Sequence, residues 1–225
     1  MKSIYERVLG DNFHQLHPLL QRKFSLHSES EEIAIGEGTM TYIQGGKSWM
    51  RPLFSLGAAR HLFFPERGTN IPFKIENAAY KDPFGRETVA WIRRFYFPKI
   101  TRAFDATMIY SEQKHGIIDF LGNKQRLISP LNFYVTETGG LNIVSEIPYL
   151  WLGGMRVHSP KWAGPTAQIK EEVIEGSEVS IHVEVRHPLF GLLIEYSGSF
   201  HLSFISTRNL KERKDFFPGR YEKRE

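Results

Sequence analysis

Apolar and polar residues alternate most tellingly between Gly85 and Ser111, where Glu87 to Phe97 and Arg102 to Ser111 are both rich in β-branched and aromatic side chains. Pro98, Lys99, Ile100 and Thr101 separate the two runs, so they are expected to pair as an antiparallel hairpin. With Phe97 opposite Arg102, one face carries Val89, Trp91, Arg93, Phe95, Phe104, Met108 and Tyr110, together with Ala106. That face is apolar except for one guanidinium. The same register sets Arg94 opposite Asp105 on the other, mixed face, and a one-residue slip would exchange the faces.

The rest of the chain extends this pattern. Ser3 can cap a short helix whose face is Ile4, Tyr5, Val8 and Leu9, with Gly10 as its stop. Phe13, Leu16, Leu19, Leu20 and Phe24 follow at helical spacing, with Pro18 in a first turn. Ile33 to Ile43 reads as a strand broken by Gly36 and Gly38, and Trp49, Leu53, Leu56, Arg60 and Phe63 predict a helix within Trp49 to Phe64. From Ile71 onward the signals are β: Phe73 to Tyr80, Ile117 to Leu121, Arg126 to Thr138, Leu141 to Trp151 and Thr166 to Ile174, with a short candidate at Met155 to His158. A two-residue turn at Gly139-Gly140 would pair Val135 with Val144 and Phe133 with Glu146, and Pro130 and Pro148 place that pair at an edge or a bend. Val179, Ile181, Val183 and Val185 alternate with polar residues, as do Tyr196, Phe200, Leu202 and Phe204, with Gly198 in the apolar row.

The expected fold class is α+β, mainly antiparallel β. It has roughly nine or ten strands in a strongly curved or closed barrel-like sheet, since a sheet that large curls, closes or splits. N-terminal helices cap it, and one further helix lies near residues 48–64. Residues 1–207 are expected to form a single domain, followed by a basic C-terminal tail at 208–225.

Composition narrows the chemistry. The chain has 225 residues, 41% of them hydrophobic and 24% charged, ordinary values for a folded protein. With no cysteine, it has no disulfide, thiolate nucleophile or cysteine-bound metal. The net charge is +4, but residues 208–225 hold seven basic against four acidic groups, which is three of those four charges. The body is therefore nearly neutral, and a nucleic-acid partner is not expected. The N-terminus lacks the apolar core of a secretory signal, and no uninterrupted apolar run approaches the roughly 20 residues of a membrane span. The expectation is a soluble, cytoplasmic protein with no transmembrane segment.

Six phrases carry a resemblance: Ile4-Tyr5-Glu6-Arg7-Val8-Leu9-Gly10, Arg51-Pro52-Leu53, Gly85-Arg86-Glu87-Thr88, Phe104-Asp105-Ala106-Thr107-Met108, Asp119-Phe120-Leu121-Gly122 and Tyr196-Ser197-Gly198-Ser199-Phe200. Together, between Ile4 and Phe204, they resemble the bacterial family named domain of unknown function 4166. Members of that family occur alone or attached to other modules, including Rossmann-type oxidoreductase domains and membrane segments. The resemblance brings no catalytic residue with it, and the tail after Arg208 lies outside it.

No catalytic, cofactor or metal residue is assigned from the sequence. Gly36-Glu37-Gly38 lacks the third glycine and the following helix of a phosphate loop. None of the nine histidines forms a His-X-His or helix-borne His-Glu-X-X-His pattern, and there is no Gly-X-Ser-X-Gly elbow. Glu87, Asp105 and Asp119 could supply acid–base chemistry only if they met in a cleft. Arg93 stands apart, because a guanidinium among apolar side chains is costly unless it is paired or reaches solvent. The reading adopted is a β-barrel-like protein binding a small, largely apolar ligand in its interior, with Arg93 meeting an anionic head and Val89, Trp91, Phe95, Phe104, Met108 and Tyr110 around it. The alternative is a protein-interaction module using the 49–64 helix and the Leu189 to Ile194 loop. An enzyme comes third.

Overall fold

Where the chain alternates it forms strands, and almost every strand pairs with the one that follows it. The computed structural model describes residues 1–207 apart from Lys161 and Ala163, so the basic tail expected at 208–225 lies outside the described residues. In order the strands are β1 (Glu32–Gln44), β2 (Gly68–Lys81), β3 (Glu87–Phe97), β4 (Ile100–Ser111), β5 (Gly116–Leu121), β6 (Leu127–Val135), β7 (Leu141–Ser145), β8 (Tyr149–Leu152), β9 (Met155–His158), β10 (Thr166–Glu175), β11 (Glu178–His187) and β12 (Gly191–Ser206). β1 to β7 meander and continue into β10, β11 and β12, and β12 pairs back onto β1. The described strands thus form a closed antiparallel barrel of ten strands, with β8 and β9 as a hairpin on the free side of β6. Closure satisfies the hydrogen-bonding groups that an open sheet leaves at its edges.

Up-and-down topology gives the barrel two distinct ends. At one end lie α1 (Ile4–Leu9), a 3₁₀ turn over Gly10–Gln15 and α2 (Pro18–Phe24), with the β2–β3, β4–β5, β6–β7 and β10–β11 turns. Ser3 caps α1 in a capping box: its hydroxyl accepts from the Glu6 N–H at 3.1 Å, and its own N–H donates to the Glu6 carboxylate at 2.7 Å. The same hydroxyl donates to the Phe24 carbonyl at 2.6 Å, tying α1 to the last turn of α2. At the other end, α3 (Arg51–Ala58) turns Phe54 and Ala58 inward.

Closure is made possible at the β1–β12 seam by glycine. Gly36, Gly38 and Gly198 fall in the inward row, where Gly36 faces Leu202, Gly38 faces Phe200 and Met40 faces Gly198. A Cβ on Gly38 would sit 2.1 Å from the Ser199 carbonyl oxygen, and one on Gly198 would sit 2.2 Å from that of Thr39. Only hydrogen fits there, so the two strands bend into close contact. β1 carries an extra residue, Thr41, between Met40 and Tyr42, which adds to the bend.

Four expectations are corrected. β3 and β4 are joined by a tighter turn, with Phe97 opposite Ile100, Trp91 opposite Ala106 and Arg93 opposite Phe104. The shift is two residues, so each side chain keeps its face, and Arg94 reaches Asp105 diagonally rather than directly. The Gly139-Gly140 connection is longer than a two-residue turn: Val135 pairs with Leu141 and Phe133 with Ile143, because Thr136 closes the loop through bonds to Gly140 and Gly139. Leu141 to Trp151 is two strands, broken at Pro148. The helix expected through Phe64 ends at Ala58, after a 3₁₀ turn over Ser48–Met50.

Replacing Gly38 with alanine is expected to destabilise the protein by about 1–3 kcal/mol through backbone overlap at the seam, whereas Thr41→Ala, at the exposed bulge, should change stability by less than about 0.5 kcal/mol. Urea denaturation of the two variants checks this.

Candidate functional site

Inward alternation on β3 brings Val89, Trp91, Arg93 and Phe95 into the barrel, and the register with β4 adds Phe104 and Met108. Arg93 is 3% exposed. Its Nε donates to the Phe104 carbonyl at 2.9 Å and its Nη1 to the Tyr196 hydroxyl at 3.2 Å, while its guanidinium lies 4.2 Å from the centre of the Phe104 ring. No carboxylate of the described residues forms an ion pair with it. Burial raises the Tyr196 pKa, and the adjacent Arg93 charge and hydrogen bond pull it back in part.

Beyond Arg93 is a cavity of about 50 Å³. Trp91, Phe104, Met108 and Ile169 are part of its apolar wall, and Arg93, Asp119, Ser129, Ser145 and Thr166 are the polar residues lining it. Its position follows from strand pairing. β6 pairs with β7 only from Leu131 onward and turns its earlier residues, Leu127 and Ile128, to β8. β10 pairs with β7 only from Gln168 onward. Between the upper ends of β6 and β10 the ladder is therefore missing, and Pro148 and Pro165, which have no N–H to offer, line the gap. One backbone bond and two serine side chains bridge it: the Glu146 N–H donates to the Pro130 carbonyl at 2.9 Å, Ser145 Oγ accepts from the Ala167 N–H at 2.7 Å, and Ser129 Oγ donates to the Glu146 carbonyl at 2.8 Å.

Of the seven residues singled out in the sequence, Trp91, Arg93, Phe104 and Met108 meet at this cavity. The other three lie elsewhere. Phe95 is packed by Phe64, Phe73 and Tyr196, with ring centres 5.0–5.1 Å apart. Val89 faces α2 beside Tyr5 and Lys23. Tyr110 lies at the α2 end beneath Arg7, whose guanidinium is 4.0 Å from its ring centre. The sequence reading missed Asp119, Ser129 and Ser145 as cavity groups. The β5–β6 pairing of Asp119 with Ser129 sets both on the inner row, a register that could be read only once the β5–β6 turn was known.

A second polar group lies deeper, where α2 plugs the barrel. Lys23 and Glu171 pair at 2.5 Å, each side chain 1% exposed. The ammonium lies 4.9 Å, 5.0 Å and 5.5 Å from the ring centres of Phe24, Trp91 and Phe200. Burial lowers the Lys23 pKa, with the Arg93 charge adding to it and Glu171 opposing it. Trp91 Nε1 donates to the Tyr5 hydroxyl at 2.9 Å, which donates on to Met108 Sδ at 3.5 Å. Burial raises the Tyr5 pKa well above its ordinary value.

The acids that could have met in a cleft are apart. Glu87 accepts from the N–H and hydroxyl of Ser28 at 2.9 Å and 2.5 Å, Asp119 is in the cavity, and Asp105 is on the outer face. Burial works against the Asp105 carboxylate, but His61 at 2.5 Å and Arg94 outweigh it and hold the pKa below the ordinary value. One group of possible metal ligands comes together among the described residues: His182, Glu184 and Glu195 on the outer wall, with ligand atoms within 4.8 Å of one another. Glu184 is already bonded by Arg186 at 2.6 Å and 2.9 Å, and Glu195 by Tyr42 and Gln44 at 2.9 Å each.

A model of the family described as domain of unknown function (DUF4166) matches residues 16–200. Among curated proteins, the chain is 37% identical over 201 residues to "Uncharacterized protein YndH" of Bacillus subtilis (strain 168), covering 89% of this chain and 97% of that protein. No solved structure matches.

The buried ion pair has a testable energetic signature. Glu171→Leu alone strands a buried ammonium and is expected to cost about 3–5 kcal/mol, whereas Lys23→Met with Glu171→Leu should recover most of that loss. Denaturation midpoints of the single and double variants measure it.

Proposed function

The chain belongs to the DUF4166 family, and from the geometry of its barrel we propose that it is a binding protein whose interior holds a small, largely apolar molecule with an anionic head. The observation that carries this reading is the Arg93 guanidinium, buried beside an apolar cavity with a carbonyl and a phenol as its hydrogen-bond acceptors. A buried cation with neutral partners is incompletely compensated, and an incoming carboxylate would supply the charge-assisted bond it lacks. Antiparallel barrels of about this strand number enclose such cavities. At about 50 Å³ the space is well below the roughly 300 Å³ of a typical ligand pocket, so binding requires the barrel to widen. The β6–β10 gap is where widening costs least, because two serine side-chain bonds and one backbone bond rather than a continuous ladder close it.

Titration with a long-chain carboxylate and with the alcohol of equal chain length tests the reading, followed by tryptophan fluorescence. The carboxylate should bind more tightly than the alcohol. Arg93→Ala should weaken it by about 10- to 100-fold, the worth of a hydrogen bond to a charged group of about 1.5–3 kcal/mol. Ala167→Leu, which narrows the gap and leaves Arg93 intact, should weaken both ligands. Absence of binding, or equal affinity for wild type and folded Arg93→Ala, refutes the proposal.

A further inference from the structure

We propose that the α3 end of the barrel docks on the surface of an anionic lipid bilayer. The proposal stands apart from the interior ligand, because it concerns only the outer surface. Three structures project at this end: the segment from Ser48 through α3, the β8–β9 hairpin and the β11–β12 turn. Each carries large apolar side chains into solvent, namely Trp49, Leu53 and Leu56, then Leu152 and Met155, then Leu189, all between 43% and 71% exposed. α3 turns Phe54 and Ala58 into the barrel and Leu53 and Leu56 away from it, so large apolar side chains stand on both of its faces. A surface helix ordinarily presents a polar outer face, whereas here Leu53 and Leu56 share that face with Arg51 and Ser55. Trp49 is held in place by edge contact with Phe190, their ring centres 5.4 Å apart.

Charge identifies the occupant. The same end exposes Lys47, Arg51, Arg60, Lys99, Lys124 and Arg156. Its loops hold two acids, Glu66 and Glu146, and Glu66 is bonded by Arg102 at 2.5 Å and 2.6 Å. The opposite end is mixed: Asp11, Glu29, Glu31, Glu112, Glu137 and Glu175 are exposed there beside Lys2, Arg7, Arg22, Lys81 and Lys114. The α3 end is therefore both basic and apolar. Apolar tips on separate loops, a tryptophan among them, ringed by lysine and arginine, match a bilayer interface, where hydrocarbon lies just beneath a negatively charged surface. A protein partner would need a complementary recess for each of three separate projections. No helix of the described residues is long and apolar enough to cross a membrane, so the contact is peripheral.

The test is co-flotation of the full chain with vesicles of phosphatidylcholine alone and of phosphatidylcholine and phosphatidylserine in equal parts. Binding is expected to the mixed vesicles, falling as salt is raised. The double variant Lys47→Glu with Lys99→Glu should weaken it by about tenfold or more, and so should Leu56→Asp, whereas Lys81→Glu at the opposite end should leave it unchanged. Trp49→Phe should remove quenching of fluorescence by brominated lipid. Failure to float with mixed vesicles overturns the proposal. So does binding that survives the Lys47/Lys99 reversal and is lost only when the basic residues of 208–225 are replaced. Self-association through this face without vesicle binding overturns it as well.

Discussion

Closure of the sheet between β1 and β12 is the constraint on which the rest of the structure depends. Ten twisted antiparallel strands can bury their apolar rows only by wrapping around one another, and the last strand must then meet the first without leaving an edge. Gly36, Gly38 and Gly198 allow that meeting by bringing the two backbones closer than any Cβ would permit. The cost is a thin inner wall, which the Phe200 ring fills as it packs against Gly36.

A closed wall creates a dry interior, and this interior is not purely apolar. Lys23, Glu171, Arg93 and Asp119 all lie within it, and Arg93 has no carboxylate in an ion pair with it among the described residues. Glu171 Oε1 and both amide atoms of Asn77 lack hydrogen-bond partners among the described residues. Such groups cost stability, and a barrel selected for stability alone would replace them with leucine or valine. Their presence fits a protein whose interior serves recognition. The weak place in the wall is the gap between upper β6 and β10, beside which Arg93 sits.

The fold was legible where alternation was strict. β11 could be read from residue order because a buried row facing a partly exposed row admits one orientation, and the inward face of β3 stood out by its large side chains although Thr88, Ala90 and Ile92 on its other face are buried as well. Pairing was less legible. The β3–β4 register came out two residues away, yet the faces survived, since an even shift preserves them. The β6–β7 turn failed for a different reason: Gly139-Gly140 looks like a two-residue turn, but Thr136 bonds across five loop residues. The cavity was half legible. Arg93 announced itself as a charge in an apolar row, whereas Ser129, Ser145 and Asp119 become cavity groups only through long-range pairing. The basic character of the α3 end was invisible in the net charge, because it arises when turns far apart in sequence gather at one rim.

If the barrel interior is built to be occupied, a bound molecule should travel with the protein. Native mass spectrometry of the protein purified from its own organism tests it most directly, read before and after unfolding. A population carrying a bound small acid, released when the barrel opens, is the expected result. The bare polypeptide mass under native conditions, with no released molecule, would contradict it.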